Sequence, residues 1–440
     1  MSDARAARPW KTAIAWLIFL GPFFFLTYGT ANTLAAARAN VPSIVFDWER
    51  HLPFWDWSIL PYWSIDVLYG ASLFVCATRA QLNIHVKRLI SAQLIAVACF
   101  LLFPLTFSFE RPSTSGWAGE LFTLLAGFDK PFNQAPSLHI ALLVSLWVLY
   151  EPFVRGAGRW LLHAWFALIG VSVLTTYQHH FFDVPTGMLL GWLCVWAWPE
   201  HQASPWADAH LTGDARRRAL ALRYGAGAAI AALLAMQFGG GALWLFWPAV
   251  SLLLVALCYL LLGPRGFQKR TDGALSPAAT WLYAPYLLGA WINSRWWTRN
   301  HEAAHEIVPG VWLGRLPGPR DALWSKIRTV IDMSAEVPLS TPRGSQVEVI
   351  GFPTLDLTMP RRETLEQAVG AIEAARHKGP VLVCCALGYS RSALAVAAWM
   401  LRHGEARDVA HALQVIARAR PAIVLGAEHR ATLEALYAGA

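Results

Sequence analysis

Long apolar stretches recur along the chain up to about residue 263 and then stop. Most approach the ~20 residues needed to cross ~30 Å of hydrocarbon, which predicts an α-helical, multi-span membrane region. Arg5, Arg8 and Lys11 precede the first stretch without a small-residue cleavage site, so we expect a retained span and not a removed signal. The predicted spans are 12–31, 61–78, 89–107, 138–154, 160–177, 184–199, 220–238 and 242–263.

From about residue 305 the pattern changes to short β-branched runs alternating with helical periodicity. This alternation predicts a soluble α/β domain. The predicted strands are 311–314, 329–334, 347–352 and 381–383, and the predicted helices are 362–377, 391–403, 406–418 and 427–437.

The composition supports a membrane protein. The chain is 56% hydrophobic, and its net charge of +8 comes from short basic clusters between apolar segments, not from the continuous basic surface of a nucleic-acid-binding protein. Counting Lys and Arg in the connections puts the N-terminus in the cytoplasm of a bacterial inner membrane and leaves 32–60, 108–137 and 178–183 outside. No Cys spacing indicates zinc or a disulfide framework, and we expect no metal and no cofactor.

An aromatic-rich segment, 276–297, separates the two regions and has two interpretations. Pro285 interrupts it, cations flank it, and Trp and Tyr favour the headgroup layer, which favours an interfacial helix. The alternative is a ninth span. An interfacial helix keeps the C-terminal domain in the cytoplasm, where a catalytic thiol stays reduced.

The most informative motif follows the last predicted strand. Cys385 ends the strand, a small-residue loop contains Gly388, and a predicted helix begins at Arg391. Backbone N–H groups and the helix dipole would converge there on an anion and would favour a thiolate at Cys385. Arg391 can fork two phosphoryl oxygens. The predicted phosphate-binding loop is Ala386, Leu387, Gly388, Tyr389 and Ser390.

This motif resembles the signature of the dual-specificity branch of the cysteine-based phosphatases. The resemblance implies that Cys385 takes the phosphoryl group, Arg391 holds it and Ser392 helps to hydrolyse the intermediate. It also implies a loop Asp as general acid, for which Asp356 is the candidate and Asp332, in a strand-like run, the competitor. Cys384 stands where the family usually has His.

A second set of unusual residues lies in the predicted outside loops. Arg111 precedes a Pro, His139 follows Pro-Ser-x, and His179 stands four residues before Asp183. On one helical turn the Asp183 carboxylate can orient the His179 imidazole. Ionisable residues at a membrane face are costly unless they serve a site.

Arg-Pro, Pro-Ser-x-His and His-x-x-x-Asp, in this order, resemble the type 2 phosphatidic-acid phosphatase superfamily, especially its inositolphosphotransferase-like branch. The likeness covers about residues 60–200. It implies His179 as nucleophile, Asp183 as its partner, His139 as general acid and Arg111 as phosphate ligand. Pro104 and Val173 stand where relatives carry cations.

The predicted organisation has four parts: a phosphatidic-acid phosphatase-like membrane domain, a loop with two further spans, an interfacial linker and a cytoplasmic dual-specificity phosphatase-like domain. Their ranges are 1–200, 201–264, 265–304 and 305–440.

We predict a bifunctional enzyme with an outward His-dependent site on lipid-linked phosphate and a cytoplasmic Cys-dependent phosphomonoesterase. The expected partners are the lipid bilayer and a phosphorylated lipid, with a phosphoprotein as alternative. Two rival functions stay open, a membrane-anchored protein-tyrosine phosphatase with an idle membrane half and a lipid-binding scaffold without turnover.

Overall fold

A computed structural model describes residues 8–437, so Arg5 of the basic N-terminus lies outside the described part. The chain divides into two compact units, Met1–Ser204 and Pro205–Ala440. Each unit has its own hydrophobic core.

The first unit is a bundle of apolar helices with α5 at its centre. Most residues of α5 are buried, and the helix packs against α2, α3, α6 and α7. Two glycines on α7 let it approach closely, since a Cβ at Gly187 would lie 2.5 Å from the Ser137 carbonyl oxygen. The helices are α1 Trp10–Ala36, α2 Ile59–Val75, α3 Arg79–Leu102, α4 Gly116–Ala126, α5 Leu138–Tyr150, α6 Ala157–Thr175 and α7 Asp183–Ala197.

The second unit begins with a helical hairpin followed by a long helix. The hairpin pairs α8, Ala215–Phe238, with α9, Phe246–Leu257, which continues as a π-helical turn over Cys258–Leu262. Helix α10, Pro277–Thr298, packs on α9. Within residues 8–437, six helical segments are long and apolar enough to cross a membrane: Trp10–Ala36, Asp56–Val75, Arg79–Leu102, Ala157–Thr175, Ala215–Phe238 and Gly240–Phe267.

The predicted membrane region is therefore helical, but the number of spans stays a prediction. Helices α5 and α7 have 13 and 15 residues, which is short for a crossing. Helix α4 lies in the predicted outside loop 108–137 and was not foreseen, since its 11 residues are too few to register as a span. Helix α10 is not one of the six candidates, and its interfacial placement also stays a prediction.

The rest of the second unit is an α/β domain built on a mixed five-stranded sheet of order β1-β2-β5-β3-β4. Strands β1 and β2 are antiparallel and the other neighbours are parallel. Central β5 is buried on both faces, which explains its continuous apolar run. The strands are β1 Ala304–Val308, β2 Val311–Arg315, β3 Thr329–Ser334, β4 Glu348–Thr354 and β5 Val381–Cys385, and the helices are α11 Arg362–Arg376, α12 Arg391–Arg402, α13 Val409–Ala419 and α14 Ala427–Tyr437.

These elements confirm the predicted α/β class and every predicted strand and helix of the domain. Strand β1 and a short 3-10 helix, Ala322–Ser325, were not predicted. The predicted linker is packed against the sheet and does not hang free. Lys269 forms a buried ion pair with Asp332 at 2.5 Å and donates to the carbonyl oxygens of Ser334 and Val337. Leu339 N–H donates to the Gly273 carbonyl oxygen. These contacts attach the residues after α9 to the carboxyl end of β3.

Candidate active sites

The loop between β5 and α12 surrounds the Cys385 sulfur with donors. Gly388 N–H and the Ser392 hydroxyl each lie 3.3 Å from Cys385 Sγ. Gly388 has φ 75°, and a Cβ there would lie 2.4 Å from the Gly314 carbonyl oxygen, so only glycine fits. These two donors approach the sulfur from the loop and from the first turn of α12.

Donors outside the loop bind its carbonyl oxygens. Arg420, which is buried, donates to the carbonyl oxygens of Leu387 (3.1 Å) and Gly388 (3.0 Å). Ser294 Oγ on α10 donates to the Ala386 carbonyl oxygen at 2.6 Å. These bonds hold three successive carbonyls of the loop from outside. Neither Arg420 nor Ser294 was predicted from the sequence, because neither belongs to a recognisable motif with Cys385.

Arg391 is buried and held by two carboxylates. Its two terminal nitrogens form a fork on Glu336, with N–O distances of 2.7 and 2.9 Å. The same nitrogens donate to the Thr354 carbonyl oxygen at 2.7 Å and to Asp356 Oδ1 at 2.9 Å. None of these four bonds uses the Nε–H donor of Arg391.

The charges of this group depend on one another. Burial alone would lower the pKa of Arg391, but Glu336 and Asp356 overcome it and raise that pKa well above its ordinary value. Burial would raise the pKa of Glu336, and Arg391 reverses that effect. Glu336 was missed because a Glu after a strand carries no distinctive pattern.

Asp356 lies in the loop after β4 and is the candidate acid that reaches Arg391. Burial raises its pKa, Arg391 opposes that effect, and Glu336 adds to it. The competitor Asp332 is held elsewhere: Oδ1 accepts from Ser334 N–H at 2.9 Å and Oδ2 pairs with Lys269. Asp332 is therefore a structural tether, as its strand position suggested.

Cys384 points away from Cys385. It belongs to the apolar cluster with Leu382 and Val330 on the opposite face of β5, and burial raises the pKa of its thiol well above the ordinary value. A small apolar side chain therefore occupies the position of the expected His. Between residues 8 and 437, no group of three His, Cys, Asp or Glu side chains is placed to hold a metal ion.

The first unit brings the predicted His and Asp together. His179 Nδ1 lies 3.0 Å from Asp183 Oδ2, and its Nε2 lies 3.1 Å from the Ser137 hydroxyl at the start of α5. All three side chains are buried. The Asp183 carboxylate thus orients the ring and directs Nε2 towards α5.

His139 and Arg111 lie around the same cluster. His139 stacks on Tyr62 at 4.3 Å between ring centroids, is close enough to His179 for electrostatic interaction, and its buried Nε2 has no hydrogen-bond partner in the described part of the chain. Arg111 donates to the Tyr177 carbonyl oxygen at 3.4 Å. The sequence reasoning missed Asp129, which interacts electrostatically with both His179 and Arg111.

His180, in contrast, has structural partners. Its Nδ1 lies 3.0 Å from Glu49 Oε2, and its Nε2 accepts from Ser108 N–H at 3.1 Å. It also stacks on Phe107.

Comparison with known proteins gives a family match for the C-terminal domain. The family model described as "Dual specificity phosphatase, catalytic domain" matches residues 322–438. A search of curated proteins found no match. The resemblance of residues 60–200 to the phosphatidic-acid phosphatase superfamily therefore stays a prediction.

Three of the solved structures similar to this chain illustrate the extent of the match. Human DUSP28 is 24% identical, with 31% of this chain and 95% of that chain covered and a TM-score of 0.28. Tk-PTP in its active form is 28% identical, with 31% and 98% covered and a TM-score of 0.28. PTPMT1 in complex with PI(5)P is 24% identical, with 31% and 96% covered and a TM-score of 0.28. Together with the β5–loop–α12 site, the matching family model shows that residues 322–438 of this chain are a dual-specificity phosphatase catalytic domain.

Proposed function

We propose that the second unit hydrolyses a phosphomonoester through a phosphocysteine at Cys385. The observation that carries this proposal is the sulfur with two donors at 3.3 Å, next to a buried Arg391. Loop N–H groups and Arg391 would bind the phosphoryl oxygens and stabilise the charge that develops on them.

The reaction would proceed in two balanced steps. First, Cys385 Sγ forms a bond to phosphorus while the ester P–O bond breaks, and protonated Asp356 gives its proton to the leaving alcohol. Second, water attacks phosphorus, ionised Asp356 takes a water proton, and the P–S bond breaks. The Ser392 hydroxyl would donate a hydrogen bond to the departing thiolate.

The direct test is hydrolysis of p-nitrophenyl phosphate by the detergent-solubilised full chain. We expect Cys385→Ser to lower kcat by at least about 10³-fold, because a serine hydroxyl at this position is a far weaker nucleophile at neutral pH than a cysteine thiolate. Cys384→Ser serves as the matched control and should retain activity within a few-fold, since that side chain lies on the other face of β5. Equal losses in both variants would contradict the assigned nucleophile.

A second activity is proposed for the first unit, transfer or hydrolysis of a lipid-linked phosphate through phospho-His179. Its support is the His179 ring oriented by Asp183 and the buried, unpartnered Nε2 of His139 as a proton donor. Nε2 of His179, after parting from the Ser137 hydroxyl, would form a bond to phosphorus while the P–O bond to the leaving group breaks and His139 protonates the departing oxygen. Water or an acceptor hydroxyl, losing its proton to His139, would then take the phosphoryl group and break the P–N bond. Arg111 would bind the phosphate.

This second activity is best tested in a Cys385→Ser background, where the other site is silent. Phosphate release from phosphatidic acid and from an isoprenyl pyrophosphate would be compared for His179→Ala and for His201→Ala, an exposed histidine of the same unit. We expect only His179→Ala to abolish release. If the background variant has no activity on any lipid, the first unit is an anchor.

A further inference from the structure

Both loops of the phosphatase site are attached to the apolar helices that precede the α/β domain. On one side, Ser294 Oγ of α10 donates to the Ala386 carbonyl oxygen, and Tyr389 Oη of the loop donates to the Trp297 carbonyl oxygen at 3.0 Å. On the other side, Tyr259 Oη, in the π-helical turn after α9, donates to the Asp356 carbonyl oxygen at 3.0 Å. Both loops of the site therefore lie against these helices.

A cluster of tyrosines from the same helices lies beside the acid loop. The Tyr224 ring stacks on the Tyr259 ring at 5.5 Å and meets the Tyr286 ring edge-on at 5.9 Å. Tyr224 and Tyr286 each interact electrostatically with Glu336 and Asp356. Rings with one apolar body and one hydroxyl are typical of the membrane–water interface.

Three arginines surround this cluster. Arg216 and Arg217 are in the first turn of α8, and Arg361 immediately precedes α11. Arg216 interacts with Asp356. Arg217 interacts favourably with Asp214 and repulsively with Arg361. Arg217 Nε is buried without a hydrogen-bond partner among the described residues. Like charges held together with an unused donor fit an anionic ligand.

The outer face of α10 indicates how deep this cluster lies. Trp291, Trp296 and Trp297 are exposed, although Ser294 of the same helix contacts the signature loop. Exposed indoles on a helix next to two candidate spans are typical of the headgroup layer. The signature loop is thus about one helix diameter, ~10 Å, from that layer.

We infer that the Cys385 site acts on a phosphomonoester of a membrane lipid, with Tyr224, Tyr286 and Arg217 binding the headgroup between α8 and the Asp356 loop. This inference rests on the proposed phosphocysteine chemistry and adds its substrate class. The lipid's acyl chains would stay beside α8 and α10 while its terminal phosphate reaches Cys385. A soluble phosphopeptide would lack the headgroup that makes these contacts.

The test uses the full chain carrying His179→Ala, so that only the Cys385 site reports. Turnover of phosphatidic acid and phosphatidylglycerophosphate in mixed micelles would be compared with p-nitrophenyl phosphate and a phosphotyrosine peptide. We expect kcat/KM for at least one lipid to exceed that for the peptide by about 100-fold. The peptide lacks two charged or polar contacts to the headgroup, and each contact should change kcat/KM by about tenfold.

Variants then locate the headgroup site. Arg217→Gln and Tyr286→Phe should each lower lipid kcat/KM by about tenfold, and more than they lower p-nitrophenyl phosphate turnover. The matched control is Arg223→Gln, which removes an exposed charge from the same helix and should change neither.

The outcomes separate the inference from the function on which it rests. If the peptide is hydrolysed as well as the lipids, or if Arg217→Gln and Arg223→Gln behave alike, the lipid inference is overturned while the phosphatase assignment stands. If Cys385→Ser leaves p-nitrophenyl phosphate hydrolysis intact, the phosphatase assignment itself fails.

Discussion

The Asp356–Arg391 ion pair predicts that the general acid competes with the substrate. Arg391 donates four hydrogen bonds, to Glu336, Thr354 and Asp356. To bind two oxygens of a phosphate, Arg391 must therefore use its Nε–H together with the Nη2–H that otherwise donates to Asp356. Phosphate would therefore displace the Asp356 carboxylate. The displaced carboxyl loses its cation, which raises its pKa further and favours the protonated form needed to protonate the leaving group.

Asp356→Asn should then bind inorganic phosphate more tightly while catalysing less. A hydrogen bond between charged groups contributes about 1.5–3 kcal/mol, and the Asp356 side chain is 33% exposed, so solvent screening reduces this to about 1 kcal/mol. That corresponds to about fivefold tighter phosphate binding. Loss of the acid should lower kcat for an alkyl phosphate by about 10²–10⁴-fold.

The assay is inhibition of p-nitrophenyl phosphate hydrolysis by inorganic phosphate, with glycerol phosphate as the poor-leaving-group substrate. p-Nitrophenolate leaves without a proton, so its kcat should fall much less than that of glycerol phosphate. Asp208→Asn, which neutralises a carboxylate in an exposed pair with Arg265, is the control and should leave both constants unchanged. Weaker or unaltered phosphate binding in Asp356→Asn would refute the competition.

Three further predictions follow from neighbouring contacts. The Glu336 carboxylate raises the pKa of Asp356, so Glu336→Gln should shift the basic limb of the pH–rate profile for glycerol phosphate to lower pH. An unshifted limb would show that Asp356 is not the group whose deprotonation causes that limb. Tyr259→Phe removes the hydrogen bond to the Asp356 carbonyl oxygen and should lower kcat for glycerol phosphate about fivefold, more than for p-nitrophenyl phosphate; equal losses would disprove a role in placing the acid. Gly187→Ala would put a methyl group 2.5 Å from the Ser137 carbonyl oxygen and should lower the thermal stability of the detergent-solubilised protein, whereas Gly170→Ala, with its nearest contact at 3.5 Å, should not.

The sequence predicted the α/β domain well because its elements carry strong local signals. β5 is a β-branched run, and α12 follows a glycine loop, so both are defined by neighbours along the chain. Cys385, Arg391 and Ser392 come together for the same reason. The His179–Asp183 pair was equally accessible, since four residues span one turn.

Residues that come from distant parts of the chain could not be predicted. Glu336 is 55 residues from Arg391, and Arg420 reaches the signature loop from the end of α13. Their positions depend on strand order and helix packing, which no local pattern encodes. The same limit hid Asp129 and made the segment 265–304 look like a linker, although Lys269 and Ser294 within it hold parts of the site.

The position of these anchors has a consequence for how the protein is made. Tyr259, Lys269 and Ser294 all precede β1, so the ribosome delivers them before any strand of the catalytic sheet. The acid loop and the signature loop are therefore synthesised after the helices that hold them. A nascent chain in which the α8–α9 hairpin has not folded would therefore lack the contacts that hold both loops of the phosphatase site. The Cys385 thiol would then become active only in molecules whose hairpin has folded.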